Sequence, residues 1–126
     1  MVTVGLLAKI LGINHTLILS IIPKSLTTPV AVEVATGVEG NASITIVSCM
    51  IAGIFGAIVA PTIFKFMRVH SPVGRGIALG SASHSMGTSK AAEYSELTFS
   101  MSSVSMTLTA IIGSFLGSTV VWLLNI

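Results

Sequence analysis

An all-helical chain that crosses a membrane several times, with two of its helical segments broken or re-entrant, is the fold class this sequence predicts, on three observations. Six Lys and Arg with four Asp and Glu make charged residues only 8% of 126, where about 25% is usual in a water-soluble domain. Hydrophobic residues reach 52% and mean hydropathy is +0.98, so such a surface is hard to keep in water. Residues 44–64 and 97–126 contain no charged side chain at all. The same composition excludes intrinsic disorder, which needs a polar and charged chain, and the lack of a Gly or Pro period excludes collagen-like repeats. A net charge of +2, scattered along the chain, offers no groove for nucleic acid. Lipid is the expected solvent.

The elements follow in chain order. The opening MVTVGLLAKILG has no basic region before its apolar residues and no small-residue cleavage site after them, so no cleaved signal peptide is expected. Residues 10–22, ILGINHTLILSII, form a short apolar piece that stops at Pro23, and residues 29–38 form a second that ends among Gly37 and Gly40. Neither is long enough to span. Residues 44–64 are: 21 residues extend about 31 Å as a helix, close to the hydrocarbon thickness, with Pro61 expected to loosen the last turns. Lys65, Arg68 and Arg75, with His70 among them, make a connection without acids that the positive-inside rule places in the cytoplasm. Residues 74–82 and 89–97 are again short apolar pieces, set around the polar centre Ser83-His84-Ser85-Met86-Gly87-Thr88. Residues 99–124 reach about 39 Å, enough to cross with tilt, and Trp122 suits an interfacial anchor.

Sliding the chain by 60 residues aligns Ser25, Thr28, Ala31, Glu33, Ser43, Ile51, Gly53 and Phe55 with Ser85, Thr88, Ala91, Glu93, Ser103, Ile111, Gly113 and Phe115. An internal duplication is the reading, with units of about residues 10–66 and 70–126 inside a single membrane domain of residues 1–126. Each unit is a broken segment followed by one span. If the broken segment enters and leaves on one side, each unit crosses an odd number of times and the copies have inverted topology, as in secondary transporters.

Irregular backbone at membrane depth is tolerated only where it faces protein or a watered cavity, which makes the two breaks the candidate sites. The first reads Pro23-Lys24-Ser25-Leu26-Thr27-Thr28-Pro29. Its prolines limit the helices, its Ser and Thr hydroxyls are expected to cap the piece that follows, and a half-helix beginning near Thr28 aims N–H groups at the break. With Lys24 this favours an anion such as a carboxylate. The second break offers Ser83, His84, Ser85 and Thr88 and is expected to form the facing half of the same pocket. Charges at depth need a reason. Lys90 and Glu93 stand at i, i+3 and can neutralise each other, while His84, of the residue type that can change charge near neutral pH, and Glu93 are candidates to bind a coupling proton. Lys24, Ser25, Thr27, Thr28, Ser85 and Thr88 are the candidate substrate-binding residues.

Other features read as packing. Cys49 is a lone cysteine in an apolar run, a buried hydrophobe rather than a disulfide or redox site. Asn14-His15-Thr16 and Asn41-Ala42-Ser43 match the glycosylation tripeptide, a match too common to weigh. Gly76 with Gly80, and Gly113 with Gly117, are spaced for close helix approach, within the chain in preference to a dimer interface. Ser100, Ser103 and Thr107 share one stripe and Ser102, Ser105 and Thr109 another, each expected to bond its own helix carbonyls. No catalytic triad, phosphate loop or metal motif is present, so no cofactor and no enzymatic activity are expected.

The stretches Ile22-Pro-Lys-Ser-Leu-Thr-Thr-Pro29 and Arg75-Gly-Ile-Ala-Leu-Gly-Ser-Ala-Ser-His-Ser-Met-Gly-Thr88, with Ala92-Glu93 following, resemble the two signature stretches of the LrgB/CidB/YohK membrane family. The resemblance runs over nearly the whole chain in order and spacing. Members are near twice this length, so the chain resembles their C-terminal half: a fragment, a truncated gene model or one part of a split protein. Lys24, Ser25, Thr27, Thr28, His84, Gly87, Thr88 and Glu93 match the family pattern. Ser89-Lys90 stands where Ala-Arg is usual, and Glu39-Gly40-Asn41 where two glycines precede an apolar residue. The first departure keeps a positive charge but loses the bidentate fork of Arg. The resemblance implies a multi-pass protein of the bacterial plasma membrane, antiholin-like or holin-like. Its expected partners are a small LrgA/CidA-like membrane protein and further copies of itself, with influence on murein hydrolase activity and lysis. Relatives that move glycolate, glycerate or pyruvate imply a carrier of small carboxylate anions.

Overall fold

A computed structural model describes residues 2–123; the ends of the last expected span, at Leu124 and Ile126, lie outside the described residues. Among these the chain is all-helical, with six α-helices and no strand: α1 (Val2–Ile10), α2 (His15–Ile21), a 3₁₀ turn (Ile22–Ser25), α3 (Thr28–Gly37), α4 (Ala42–Phe66), α5 (Pro72–Ala92) and α6 (Glu96–Leu123). The order short helix, break, short helix, long apolar helix occurs twice, since α5 contains a break of its own. By packing, the chain forms two compact units, Met1–Met50 with Ala110–Ile126, and Ile51–Thr109.

In the first unit the apolar stretch from residue 10 starts as a helix later than its composition implies. Gly12, at φ +64°, closes α1 first, a conformation that costs glycine little. Asn14 then caps α2, its Oδ1 accepting from the Thr16 N–H at 3.0 Å. Pro23 has no N–H to continue the α ladder, and the chain tightens into the 3₁₀ turn, with the Leu26 N–H donating to the Pro23 carbonyl at 2.9 Å. Leu26 and Thr27 are extended, and α3 follows as expected. Thr27 takes the N-cap position, but its hydroxyl makes no capping bond, contrary to expectation. A capping side chain reaches the second or third N–H of its helix, and Pro29 has removed the first of those.

Ser20, fully buried, ties this unit together. Its hydroxyl donates to the Thr16 carbonyl at 2.6 Å and accepts from the Asn41 N–H at 2.7 Å, and its carbonyl accepts from the Thr45 hydroxyl at 2.8 Å. Asn41 in turn caps α4 through Ile44. Around the break, Leu26, Ala31, Val34 and Cys49 form one apolar cluster, and Ala8, Ile18, Ile22 and Val120 another.

Among the described residues, helices α4 and α6 are the two long and apolar enough to cross a membrane, with mean hydropathy 2.2 over an 18-residue stretch within Ala42–Phe66 and 1.5 over one within Glu96–Gly117. At 25 residues α4 extends about 38 Å and stays helical through Pro61. Only 17% of the apolar stretch of α4 and 11% of that of α6 is buried inside the protein. The core helix of a soluble protein would be mostly buried. Here Phe55, Ile58, Ile111 and Phe115 are exposed, which suits lipid and not water.

In the second unit Ser71 caps α5, its Oγ accepting from the Gly74 N–H at 3.3 Å, with Pro72 opening the helix. α5 lies hard against α6. A Cβ on Gly80 would overlap the Ser102 carbonyl oxygen, and one on Gly76 would stand 2.5 Å from that of Thr98. Gly113 and Gly117 likewise make room for Leu26 and Val34 in the first unit. Both pairs therefore serve packing within the chain, as expected. Ala60, Phe64, Leu79 and Ala91 form the core of the second unit.

Gly80→Ala should lower the thermal stability of the detergent-solubilised protein by about 1–3 kcal/mol, the range for overpacking. Gly37→Ala, which meets open space, should leave it unchanged or raise it by about 0.5 kcal/mol. Equal stability of the two variants would contradict this packing.

Candidate functional site

Each unit contains one break in its helical backbone, and each break presents polar side chains. In the first, Lys24 lies half-buried within the 3₁₀ turn, Ser25 is exposed, and Thr27 and Thr28 are half-buried. Among the described residues no side-chain hydrogen bond or ion pair engages Lys24, Ser25, Thr27 or Thr28. Of these, Thr28 lines an open pocket of about 530 Å³, together with Pro29, Glu33, Ile46 and Ser114 among others; Lys24, Ser25 and Thr27 do not line it. Lys24 brings a full charge, the start of α3 brings the positive end of its dipole, and three hydroxyls remain to donate or accept. Chemically, this combination can hold an oxyanion.

The second break is narrower than the polar centre suggested. The expected interruption over residues 83–88 is a departure at one residue: His84, at φ +49° and ψ −125°, separates the helical stretches 72–83 and 85–92. These angles mirror those of the first central residue of a type II turn, a region that L side chains seldom occupy. A single residue there redirects the helix without a loop. Holding it costs of order 1–3 kcal/mol, and such strain gathers at functional sites. Ser83, His84 and Thr88 are buried and Ser85 is exposed. Gly56 of α4 leaves room for the Ser83 hydroxyl, and Gly87 for the Leu79 carbonyl.

Thr88 Oγ1 and Ser102 Oγ lie 2.9 Å apart, and Thr88 also points its hydroxyl at Met106 Sδ, at 3.8 Å. Ser105 donates to the Ile77 carbonyl at 3.1 Å. This corrects the expectation for the second hydroxyl stripe of α6: Thr109 bonds its own helix, but Ser102 and Ser105 reach across to α5. In the first stripe Ser103 and Thr107 bond the Phe99 and Ser103 carbonyls as expected, whereas Ser100 makes no such bond among the described residues. Ser102 is thus a residue of the second break that sequence spacing does not single out; the signal was its stripe facing the glycines of α5.

Lys90 and Glu93 form the i, i+3 pair at 2.6 Å. Glu93 is exposed at the end of α5, and its hydrogen bond pushes the Lys90 pKa up from its ordinary value. The proposed coupling groups therefore occupy different settings, His84 buried within the break and Glu93 at its exposed end. Among the described residues no three His, Cys or acidic side chains converge to hold a metal ion.

If His84 holds a positive φ, glycine there relieves strain. His84→Gly should be at least as stable as His84→Ala in thermal unfolding, whereas within a regular helix glycine costs about 1 kcal/mol relative to alanine. A loss of that size in His84→Gly would show a continuous helix at this position.

The chain matches the LrgB-like family over residues 1–123. It is 59% identical over 119 residues to YxaC of Bacillus subtilis, covering 94% of this chain and 52% of that protein. It is 36% identical over 110 residues to YwbG of the same organism, covering 87% and 49%. To the holin-like protein CidB of Staphylococcus aureus strain N315 it is 34% identical over 113 residues, covering 90% and 49%. The chain thus spans about half the length of these relatives. No solved structure matches it.

Proposed function

Because this chain belongs to the LrgB-like family, we propose that it forms part of a broken-helix secondary carrier for small monocarboxylates of the pyruvate, glycolate or glycerate type, in the plasma membrane of a bacterium. The observation that carries this reading is Lys24, a half-buried cation between two prolines, with no carboxylate partner among the described residues and three hydroxyls close by in sequence. A charge so placed in an apolar chain is costly unless an anion or water complements it. Lys24, Ser25, Thr27 and Thr28 hold the carboxylate. In the second break Ser85 and Thr88 add hydroxyls, and His84 or Glu93 binds the coupling proton. The repeated element order supports an internal duplication of residues 10–66 and 70–126 with inverted topology, and the basic residues after α4 support a cytoplasmic placement of that corner. Control of murein hydrolase activity and lysis follows from the carrier acting with a small LrgA/CidA-like membrane protein and further copies of itself.

A second reading has its own support in the holin-like name of a relative: an oligomeric pore or lysis regulator without carrier activity. Flux measurements separate the two. Proteoliposomes carrying this protein should take up labelled pyruvate or glycolate with saturation and counterflow, and Lys24→Ala and His84→Gln should each lower uptake about tenfold or more, the worth of one charge-assisted bond. Wild-type uptake in both variants removes the proposed site, and unsaturable dye release from wild-type vesicles favours the pore.

A further inference from the structure

We infer that the corner between α4 and α5 binds an anionic phospholipid, its phosphate held by Lys65 and Arg75 and an acyl chain laid along α4. An open pocket of about 520 Å³ is lined there by Pro61, Thr62, Phe64, Lys65, Arg75 and Tyr94. Arg75 is held in position. Its Nε donates to the Val69 carbonyl at 2.8 Å, and its guanidinium carbon lies 5.2 Å from the Tyr94 ring centre and 5.9 Å from that of Phe64. The two rings meet edge to face with centres 6.2 Å apart. With Nε engaged, the guanidinium keeps its terminal N–H donors for an oxyanion.

Among the described residues the one ion pair is Lys90 with Glu93, so no carboxylate neutralises Lys65 or Arg75. Lys65 stands exposed in the last turn of a membrane-length helix, the level at which a lysine stem follows the apolar surface and its ammonium meets the headgroups. Basic pockets between helices at this level suit lipid phosphates.

A second cavity decides between a lipid phosphate and a free one. An apolar groove of about 320 Å³ runs along residues 55–64 of α4 and is walled by Ala78, Leu79 and Ala82 of α5. Phe64 lines both cavities. Ten residues of helix give the groove a length of about 15 Å. A soluble phosphate would use the basic pocket and leave the groove bare, whereas a phospholipid occupies both. The basic pocket shares no residue with either break, the groove meets the second break only at Ser83, and the site requires no transport.

Native mass spectrometry of the detergent-purified protein tests the site, using phosphatidylglycerol and phosphatidylcholine of identical acyl chains, with inorganic phosphate as competitor. Phosphatidylglycerol should be retained about fivefold better than phosphatidylcholine, and Lys65→Gln and Arg75→Gln should each abolish that preference, as expected for about one interfacial charge. Arg68→Gln, outside the pocket, should keep it. Arg75→Gln also removes the bond to Val69, so the decisive variant is Lys65→Gln, whose side chain holds no other part of the fold. Ala82→Trp, which fills the groove from an exposed position, should weaken retention of phosphatidylglycerol. Equal retention of the two lipids by the wild type overturns the assignment, as does an unchanged preference in Lys65→Gln. Displacement of the lipid by inorganic phosphate would mark a soluble-oxyanion site and overturn it too.

Discussion

In hydrocarbon a backbone must satisfy its own N–H and C=O groups, because no water is there to do so. The two breaks in this chain are shaped by that constraint. The first break confines extended backbone to Leu26 and Thr27, between a 3₁₀ turn and α3. The prolines on either side bring no N–H that would need a partner. The second break confines the departure to His84 and resumes helical angles at the next residue. At the first, the side chains that a longer loop would have spent on its own backbone remain available, whereas at the second Thr88 is already paired with Ser102.

Keeping the breaks short has a steric consequence. Helices must come close to cover them, and with lipid outside there is little hydrophobic gain in bringing helices together, so close contact and hydrogen bonds supply the cohesion. Gly80 brings the α5 backbone against the Ser102 carbonyl, and that proximity is what lets Ser102 meet Thr88 and Ser105 meet Ile77. In the first unit the Ser20 knot does the same work through Asn41 and Thr45. Small residues and hydroxyls act as one device: the glycine sets the distance, and the hydroxyl bonds across it.

Charge is distributed by the same logic. The protein has few ionisable groups, and those set within apolar segments need a partner or water. Lys90 and Glu93 neutralise each other on an exposed turn. Arg75 is fixed by a backbone carbonyl and two rings at the end of a membrane-length helix. Lys24, like Lys65, has neither arrangement among the described residues, so its charge is open to a ligand.

Much of the architecture was determined by the sequence alone. Charge-free runs of spanning length, Pro23 and Pro29, and Gly37 with Gly40 located α4, α6, the first break and the end of α3, because length, missing donors and apolar runs act locally along the chain. The i, i+3 spacing likewise sufficed for Lys90 and Glu93. Tertiary structure alone decided that the second break is the single residue His84, that the Thr27 hydroxyl goes unused as a cap, and that Ser102 turns away from its own helix to meet Thr88. A positive φ is held by what packs around it, and a hydroxyl chooses between its own carbonyl and a neighbour's by the distance a facing glycine allows. Neither quantity is written in the spacing of residues along one chain segment.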